Sequence, residues 1–223
     1  MVDSSTPGKP PATKPGKRRR RSARDRILRE ARQLFVSHGF SDVSMAQVSA
    51  RADVTKAALY YHFTDKADLY TRVGVQRIDR LRDAMDAAVD GGGSLEDRLV
   101  RLTEVALERM ATEVFQPHLH SHEHLDEAHH KELHRAMDRL QEPAIRCFVE
   151  TGAPERPIPP RTAAALLGGI SFSLLFVGDE VFGDVELPKD PRERARLVVR
   201  LFLDGYRGLI GDGAESEPEV AGS

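Results

Sequence analysis

The sequence predicts an all-α fold, with a three-helix unit containing a helix-turn-helix at the N-terminus and a larger helical body behind it. Three observations predict it. Apolar residues recur at three- and four-residue spacing through most of the 223 residues, and no stretch shows the period-two alternation of a half-buried strand. Capping residues precede these stretches, and glycine or proline follows them. Charge is divided between the two parts: residues 17–63 hold eleven Lys/Arg against four Asp/Glu, a net of +7, while residues 64–223 hold a net of −10. A compact basic unit on an acidic body points to a polyanionic partner, with nucleic acid first and an anionic membrane surface second.

Residues 1–21 contain Pro7, Pro10, Pro11, Pro15 and the run Lys17-Arg18-Arg19-Arg20-Arg21. They lack apolar periodicity and are expected to form a disordered basic arm that could lie along phosphates or enter a minor groove. Ser22 is expected to cap a first helix whose inward side is Ile27, Leu28, Ala31, Leu34 and Phe35, with Gly39 ending it in the left-handed region. Ser44 caps a second helix, Met45 to Arg51, with Gln47 as its capping-box partner and Val48 inward. Ala52-Asp53-Val54 makes a tight turn that places Asp53 at positive φ. Thr55 caps a third helix, Lys56 to His62, with Ala58, Leu59 and Phe63 inward. These elements, residues 22–69, make the first unit.

The body is expected over residues 70–211. A fourth helix runs from near Asp65 to about Val89 on the stripe Leu69, Val73, Ile78, Leu81, Met85 and Ala88. Gly91-Gly92-Gly93 breaks it, and Ser94 caps a fifth helix carrying Leu95, Leu99, Leu102, Ala106 and Met110. A short helix is expected within Phe115 to Leu125. One long helix, kinked at Pro143, is expected from Glu127 to Thr151. After a proline-rich loop, two final helices are expected, Arg161 to about Val181 and Arg192 to about Gly211, with Pro191 suited to the first turn of the second. Residues 212–223 read as a disordered acidic tail.

Function enters through Ser44 to Phe63. Two short helices joined by a tight turn, with a longer helix packed across both, form a helix-turn-helix, whose second helix enters the major groove. The outward face of that helix offers Lys56, Ala57, Tyr60, Tyr61 and His62. Small Ala57 permits close approach, Lys56 can donate to guanine or phosphate, and the aromatic residues can reach phosphate or a thymine methyl.

Three runs of residues carry a family resemblance: Ile27-Leu28-x-x-Ala31-x-x-Leu34-Phe35-x-x-x-Gly39-Phe40; Ser44-Met45-x-x-Val48-Ser49-x-x-Ala52-Asp53-Val54; and Thr55-Lys56-x-Ala58-Leu59-Tyr60-Tyr61-His62-Phe63-x-x-Lys66-x-x-Leu69. On them, residues 26–73 resemble the TetR/AcrR family of bacterial transcription regulators. The resemblance implies phosphate contact at Ser44, base contact at Thr55, Lys56 and Ala57, and phosphate contact at Tyr60, His62 and Lys66. It also implies a homodimeric regulator, most simply a repressor, that leaves a palindromic operator in double-stranded DNA when a small-molecule effector binds the body. Asp53 and Ala57 depart from the family pattern, which usually has glycine at the first and often at the second.

The resemblance further implies that the last two helices pair with their copies in a four-helix bundle. Both are apolar on more than one face, which suits a partner helix, and Leu166, Ile170, Leu174, Val198, Leu201 and Phe202 are the expected interface. Met110, Phe115, Phe148, Phe172 and Phe176 are the expected pocket residues, chosen on apolar bulk. A histidine cluster leaves a metal-responsive alternative open, because His118 and His122, like His130 and His134, stand at the i,i+4 spacing at which two imidazoles can share a metal. A nonspecific polyanion or membrane-surface binder acting through the basic arm is the other alternative. No nucleophile motif, P-loop or dinucleotide fingerprint occurs, so neither catalysis nor a cofactor is expected. Cys147 is the single cysteine, which suits a reducing, cytoplasmic setting. The longest uncharged run, Thr162 to Gly178, is too short for a membrane span.

Overall fold

The computed structural model describes residues 17–110, 124–151, 158–174 and 187–211, and these form helices and the turns between them. In chain order they are α1 (Lys17–His38), α2 (Met45–Arg51), α3 (Lys56–His62), α4 (Lys66–Val89), α5 (Leu95–Arg109), α6 (Glu127–Leu140), α7 (Glu142–Glu150), α8 (Pro160–Ser173) and α9 (Pro191–Gly211).

The punctuation read from the sequence is largely what the backbone obeys. Gly39 ends α1 at φ 78° and donates its N–H to the Phe35 carbonyl at 3.0 Å. Ser94 caps α5 in a full capping box with Asp97, and Gly92 and Gly93 before it both have positive φ. The Ser94 hydroxyl and backbone N–H hold the Asp97 carboxyl below its ordinary range. Asp126 caps α6 by accepting the His129 N–H at 2.9 Å.

Three boundaries differ from expectation. First, α1 begins at Lys17 rather than at a Ser22 cap, so Lys17 to Arg21 continue the helix instead of belonging to a disordered arm. Arginine and lysine are good helix formers and carry the α1 pattern backwards. Second, Glu127 to Thr151 is not one kinked helix. It breaks at Gln141, which closes α6 and opens α7, and Pro143 sits in the first turn of α7, where its missing N–H costs nothing. Third, α8 closes at Leu174, short of the expected Val181. The short helix expected within Phe115 to Leu125 lies almost wholly outside the described residues.

Two cores result. Ile27, Leu28, Ala31, Phe35, Val48, Leu59, Phe63, Leu69 and Tyr70 fill the first, where the Phe40 and Tyr70 rings meet edge-on at 5.1 Å. Leu81, Leu99, Phe148, Leu167, Val198, Phe202 and Tyr206 fill the second, with α5 packed between α4 and α9. The expected boundary at residue 69 falls inside α4, a continuous helix that gives Leu69, Tyr70 and Val73 to the first core and Leu81, Met85 and Val89 to the second. Leu125, from the body, is buried in the first core, and Leu133 of α6 packs against it. Ion pairs fasten α6 and α7 along α4: Arg72 to Glu132, Arg139 to Asp79 at 3.1 Å, and Arg146 to Asp86 and Asp90 at 3.1 and 2.8 Å.

Candidate nucleic-acid interface

The candidate recognition element is α3, and local chemistry sets its pose. Thr55 accepts the Ala58 N–H at 3.1 Å, which caps the helix and fixes its first turn. Before it, Asp53 sits at φ 50°, and the Val54 N–H reaches back to the Ser49 carbonyl at 3.0 Å, closing the turn between α2 and α3. Arg26 of α1 donates from Nε to the Ala52 carbonyl at 3.3 Å, and Arg51 reaches Gln33 of α1 at 2.8 Å. The turn is therefore tied to α1 from both sides.

Burial divides the faces of α3. Leu59 and Phe63 are 0 and 1% exposed and hold the helix to the core, while Tyr60 and Tyr61 are 52 and 64% exposed. Lys56 and Ala57 are also exposed, and His62 is half-buried beside Tyr61, ring to ring at 5.1 Å. The two exposed tyrosines and the lysine form a polar, donor-rich ridge. Small Ala57 at its leading turn lets the backbone approach an opposing surface.

Ser44 presents the N-terminus of α2 beside this ridge. Its hydroxyl donates to Gln47 Oε1 at 2.9 Å and accepts the Gln47 N–H at 3.2 Å, while its own N–H donates to the same Oε1 at 2.7 Å. The side chain is thus engaged in the capping box. Lys66 also has work inside the unit. Its ammonium donates to the carbonyls of Phe40 and Ser41 at 2.9 and 3.3 Å and sits 4.3 Å from the centre of the Phe40 ring. The sequence placed Lys66 only on phosphate and did not foresee this clamp on the end of α1. Phe40 and Ser41 lie in the turn after α1, about twenty-five residues before Lys66, so no signal local to Lys66 pointed to it.

The remaining sites separate in the same way. On α8 and α9, Leu166, Ile170 and Leu201 are exposed (51, 38 and 64%), with Leu197 beside them at 38%, and Leu174 is half-buried. Val198 and Phe202 are corrected: at 1 and 7% exposure they face the chain's own core, one residue round the helix from Leu197 and Leu201, and cannot supply an outer face. Among the expected pocket residues, Met110 and Phe172 line a cavity of about 270 Å³. Phe148 does not: it is buried against Phe202 and Tyr206 at ring distances of 5.9 and 6.0 Å. Phe115 and Phe176 lie outside the described residues. The cavity also draws on Met137 and Gln141, which the sequence did not single out; the polar Gln141 inside an apolar stripe was the available signal.

His118 and His122 lie outside the described residues too. Of the others, His124 stacks on Phe40 at 4.8 Å, His129 pairs with Asp126 at 2.7 Å, and His134 is exposed. Among the described residues no three His, Cys, Asp or Glu side chains converge as a metal site, and no helix is long and apolar enough to cross a membrane.

Comparison with known proteins agrees with this geometry. Residues 27–73 match the family model of bacterial regulatory proteins of the tetR family. The HTH-type transcriptional regulator AcrR of Shigella flexneri is 37% identical over 57 residues, 26% of each chain. The HTH-type transcriptional repressor BepR of Brucella suis is 34% identical over 50 residues, 22% of this chain and 24% of that one. The HTH-type transcriptional activator FasR of Mycolicibacterium smegmatis is 36% identical over 58 residues, 26% of each. The matched segment spans about a quarter of these relatives' length. Solved structures extend the likeness of fold to the body. A TetR/AcrR-family regulator from Thermobifida fusca superposes with a TM-score of 0.61 at 22% identity, covering 82% of this chain and 98% of that one. The fatty acid degradation regulator FadR of Bacillus halodurans gives 0.65 at 17% identity, covering 87 and 99%. Residues 27–73 thus carry the helix-turn-helix of the tetR family of bacterial regulatory proteins, and the helical body behind them is similar in fold to solved regulators of that kind.

Proposed function

We propose that the protein is a cytoplasmic, homodimeric transcriptional repressor that binds a palindromic operator and is released by a small molecule held in its body. It acts by binding, not catalysis. One observation carries the reading: α3 is anchored through Leu59 and Phe63 and presents Lys56, Ala57, Tyr60 and Tyr61 outward, within a stretch, residues 17–63, of net charge +7. A major groove about 12 Å wide admits one such helix. Tyr60, Tyr61 and His62 are suited to phosphate oxygens and thymine methyls, while Thr55, Lys56 and Ala57 face the base edges. The N–H groups of α2 behind Ser44 add an anion-attracting helix end.

A symmetric pair of chains presents two such helices to half-sites about 34 Å apart. The apolar surface of Leu166, Ile170, Leu197 and Leu201 supports that pairing, since an exposed apolar patch on two adjacent helices marks an interaction face. The effector acts as a population shift: it favours a body conformation in which the two α3 helices no longer match the half-site spacing.

Selection from a random duplex pool followed by footprinting tests the reading. The expected result is an inverted repeat, bound with strong salt dependence and lost in Tyr60→Ala, whose melting temperature stays at the wild-type value because Tyr60 is exposed. Equal binding to scrambled duplexes, or binding to anionic vesicles in place of DNA, refutes it.

A further inference from the structure

The cavity in the body carries more than its existence. It lies where α6 breaks into α7, between that break and α8, with Met85 of α4 and Met110, the C-cap of α5, also in its wall. Its volume of about 270 Å³ is that of roughly nine liquid waters. Every described residue lining it is uncharged, and most are apolar. Two polar side chains are present. The Ser171 hydroxyl donates to the Leu167 carbonyl at 2.7 Å, so its hydrogen is already used. Gln141 makes no capping bond to α7 with its side chain, although its backbone closes one helix and opens the next. Its carboxamide therefore stands at the cavity with both a donor and an acceptor to offer. Three of the chain's five methionines, Met85, Met110 and Met137, form part of the wall. Thioether side chains adjust their shape cheaply and pack against varied apolar surfaces.

We infer that this cavity selects its ligand by charge rather than by outline: it takes neutral, largely apolar molecules with one hydrogen-bonding group, which Gln141 engages, and it excludes cations and anions of the same size. An ion entering it loses hydration and finds no counter-charge among the described residues, a penalty that a hydroxyl or carbonyl compound avoids. The adaptable methionine wall tolerates differences in the apolar part. The inference deepens the proposed effector role and rests on it for its biological meaning, but binding is measured without DNA.

The experiment uses the full-length protein and the neutral fluorophore 1-aminoanthracene, displaced by decanol, decylammonium or decanoate at pH 7.5. Decanol is expected to displace the fluorophore at a concentration at least thirtyfold lower than either ion. Gln141→Glu puts a carboxylate in the same volume and is expected to improve decylammonium at least tenfold relative to decanol. Gly168→Leu is expected to fold, because a Cβ at Gly168 meets no atom within 4 Å, and to abolish fluorophore binding by filling the cavity. Circular dichroism confirms that the variants are folded. Equal displacement by an ion and decanol, an unchanged preference in Gln141→Glu, or undiminished binding by folded Gly168→Leu each overturns the inference. If neutral selectivity holds but decanol fails to release DNA, the effector reading falls and the cavity assignment stands.

Discussion

Leu201 is 64% exposed on α9, one turn from Leu197 at 38%, and the neighbouring α8 exposes Leu166 and Ile170. If α8 and α9 pair with their copies, Leu201→Ala removes apolar area from the interface twice, once per protomer. Full burial of a leucine side chain stabilises by about 1.5–3 kcal/mol, and only the exposed share is available to pairing, so each copy contributes ~1–2 kcal/mol. The dimer then loses ~2–4 kcal/mol, which weakens association by roughly 30- to 700-fold. Sedimentation velocity across a dilution series reads that shift directly. The core does not contain this side chain, so the melting temperature of the dissociated chain should not fall. Val198→Ala is the control: at 1% exposure it lies in the protomer core and should lower folding stability by about 1–2 kcal/mol while moving the association constant little. An unchanged dimer constant in Leu201→Ala, or a larger shift in Val198→Ala, refutes the placement of the interface.

Other residues make equally specific demands. Asp53→Gly should raise stability by up to about 1 kcal/mol, because Asp53 sits at φ 50° and glycine avoids the left-handed penalty while returning part of the gain as unfolded-chain entropy. That is roughly 2–4 °C in melting temperature, and a Gly variant no more stable than Asp53→Ala would contradict it. Lys66→Met should lower stability by about 1–2 kcal/mol through loss of the Phe40 and Ser41 carbonyl contacts and the ring contact. Weaker DNA binding at unchanged melting temperature would show that the clamp carries no stability. Tyr70 is buried with its hydroxyl unpartnered among the described residues, and burial pushes its pKa up to about 12. A raised folded pKa means stability that is intact below the unfolded value near 10 and is lost as pH rises from there towards 12. Tyr70→Phe should therefore be as stable as wild type at pH 7 and more stable at pH 11.5, measured by urea unfolding; equal losses at high pH in both would exclude Tyr70 as the cause.

The recognition unit was legible because its signals are local. Ser44 with Gln47, Asp53 in the turn and Thr55 ahead of α3 each act within three or four residues, so reading along the chain finds them. The outward face of α3 followed from the same periodicity that hides Leu59 and Phe63. What was not legible depends on direction around a helix or on partners distant in sequence. Val198 and Leu201 look alike as letters, and only the packing of α9 on α5 turns one inward and the other out. Phe148 is large and apolar, as a pocket residue would be, yet it is spent on Phe202 and Tyr206. Pro143 was seen, but whether it bends a helix or starts one depends on the chain reversing its bonding at Gln141.

The join between the two units illustrates the same limit and has a functional consequence. A division at residue 69 treats the helix-turn-helix as self-contained. Its core nevertheless includes Tyr70 and Val73 beyond that point, and Leu125 from fifty residues further on in the chain. At Gly74 a Cβ would come within 2.9 Å of Leu133 Cδ2, so a larger residue there obliges that leucine side chain to shift. From the Arg72–Glu132 pair and the contact at Leu133 to the cavity wall at Met137 and the C-cap Gln141, α6 covers roughly 14 Å. One rigid helix therefore touches both the core that holds α3 and the cavity proposed to hold the effector. If an effector occupies the cavity as proposed, a shift of α6 would move the contacts at Glu132 and Leu133 together with the cavity wall at Met137 and Gln141, which couples the two cores through one helix.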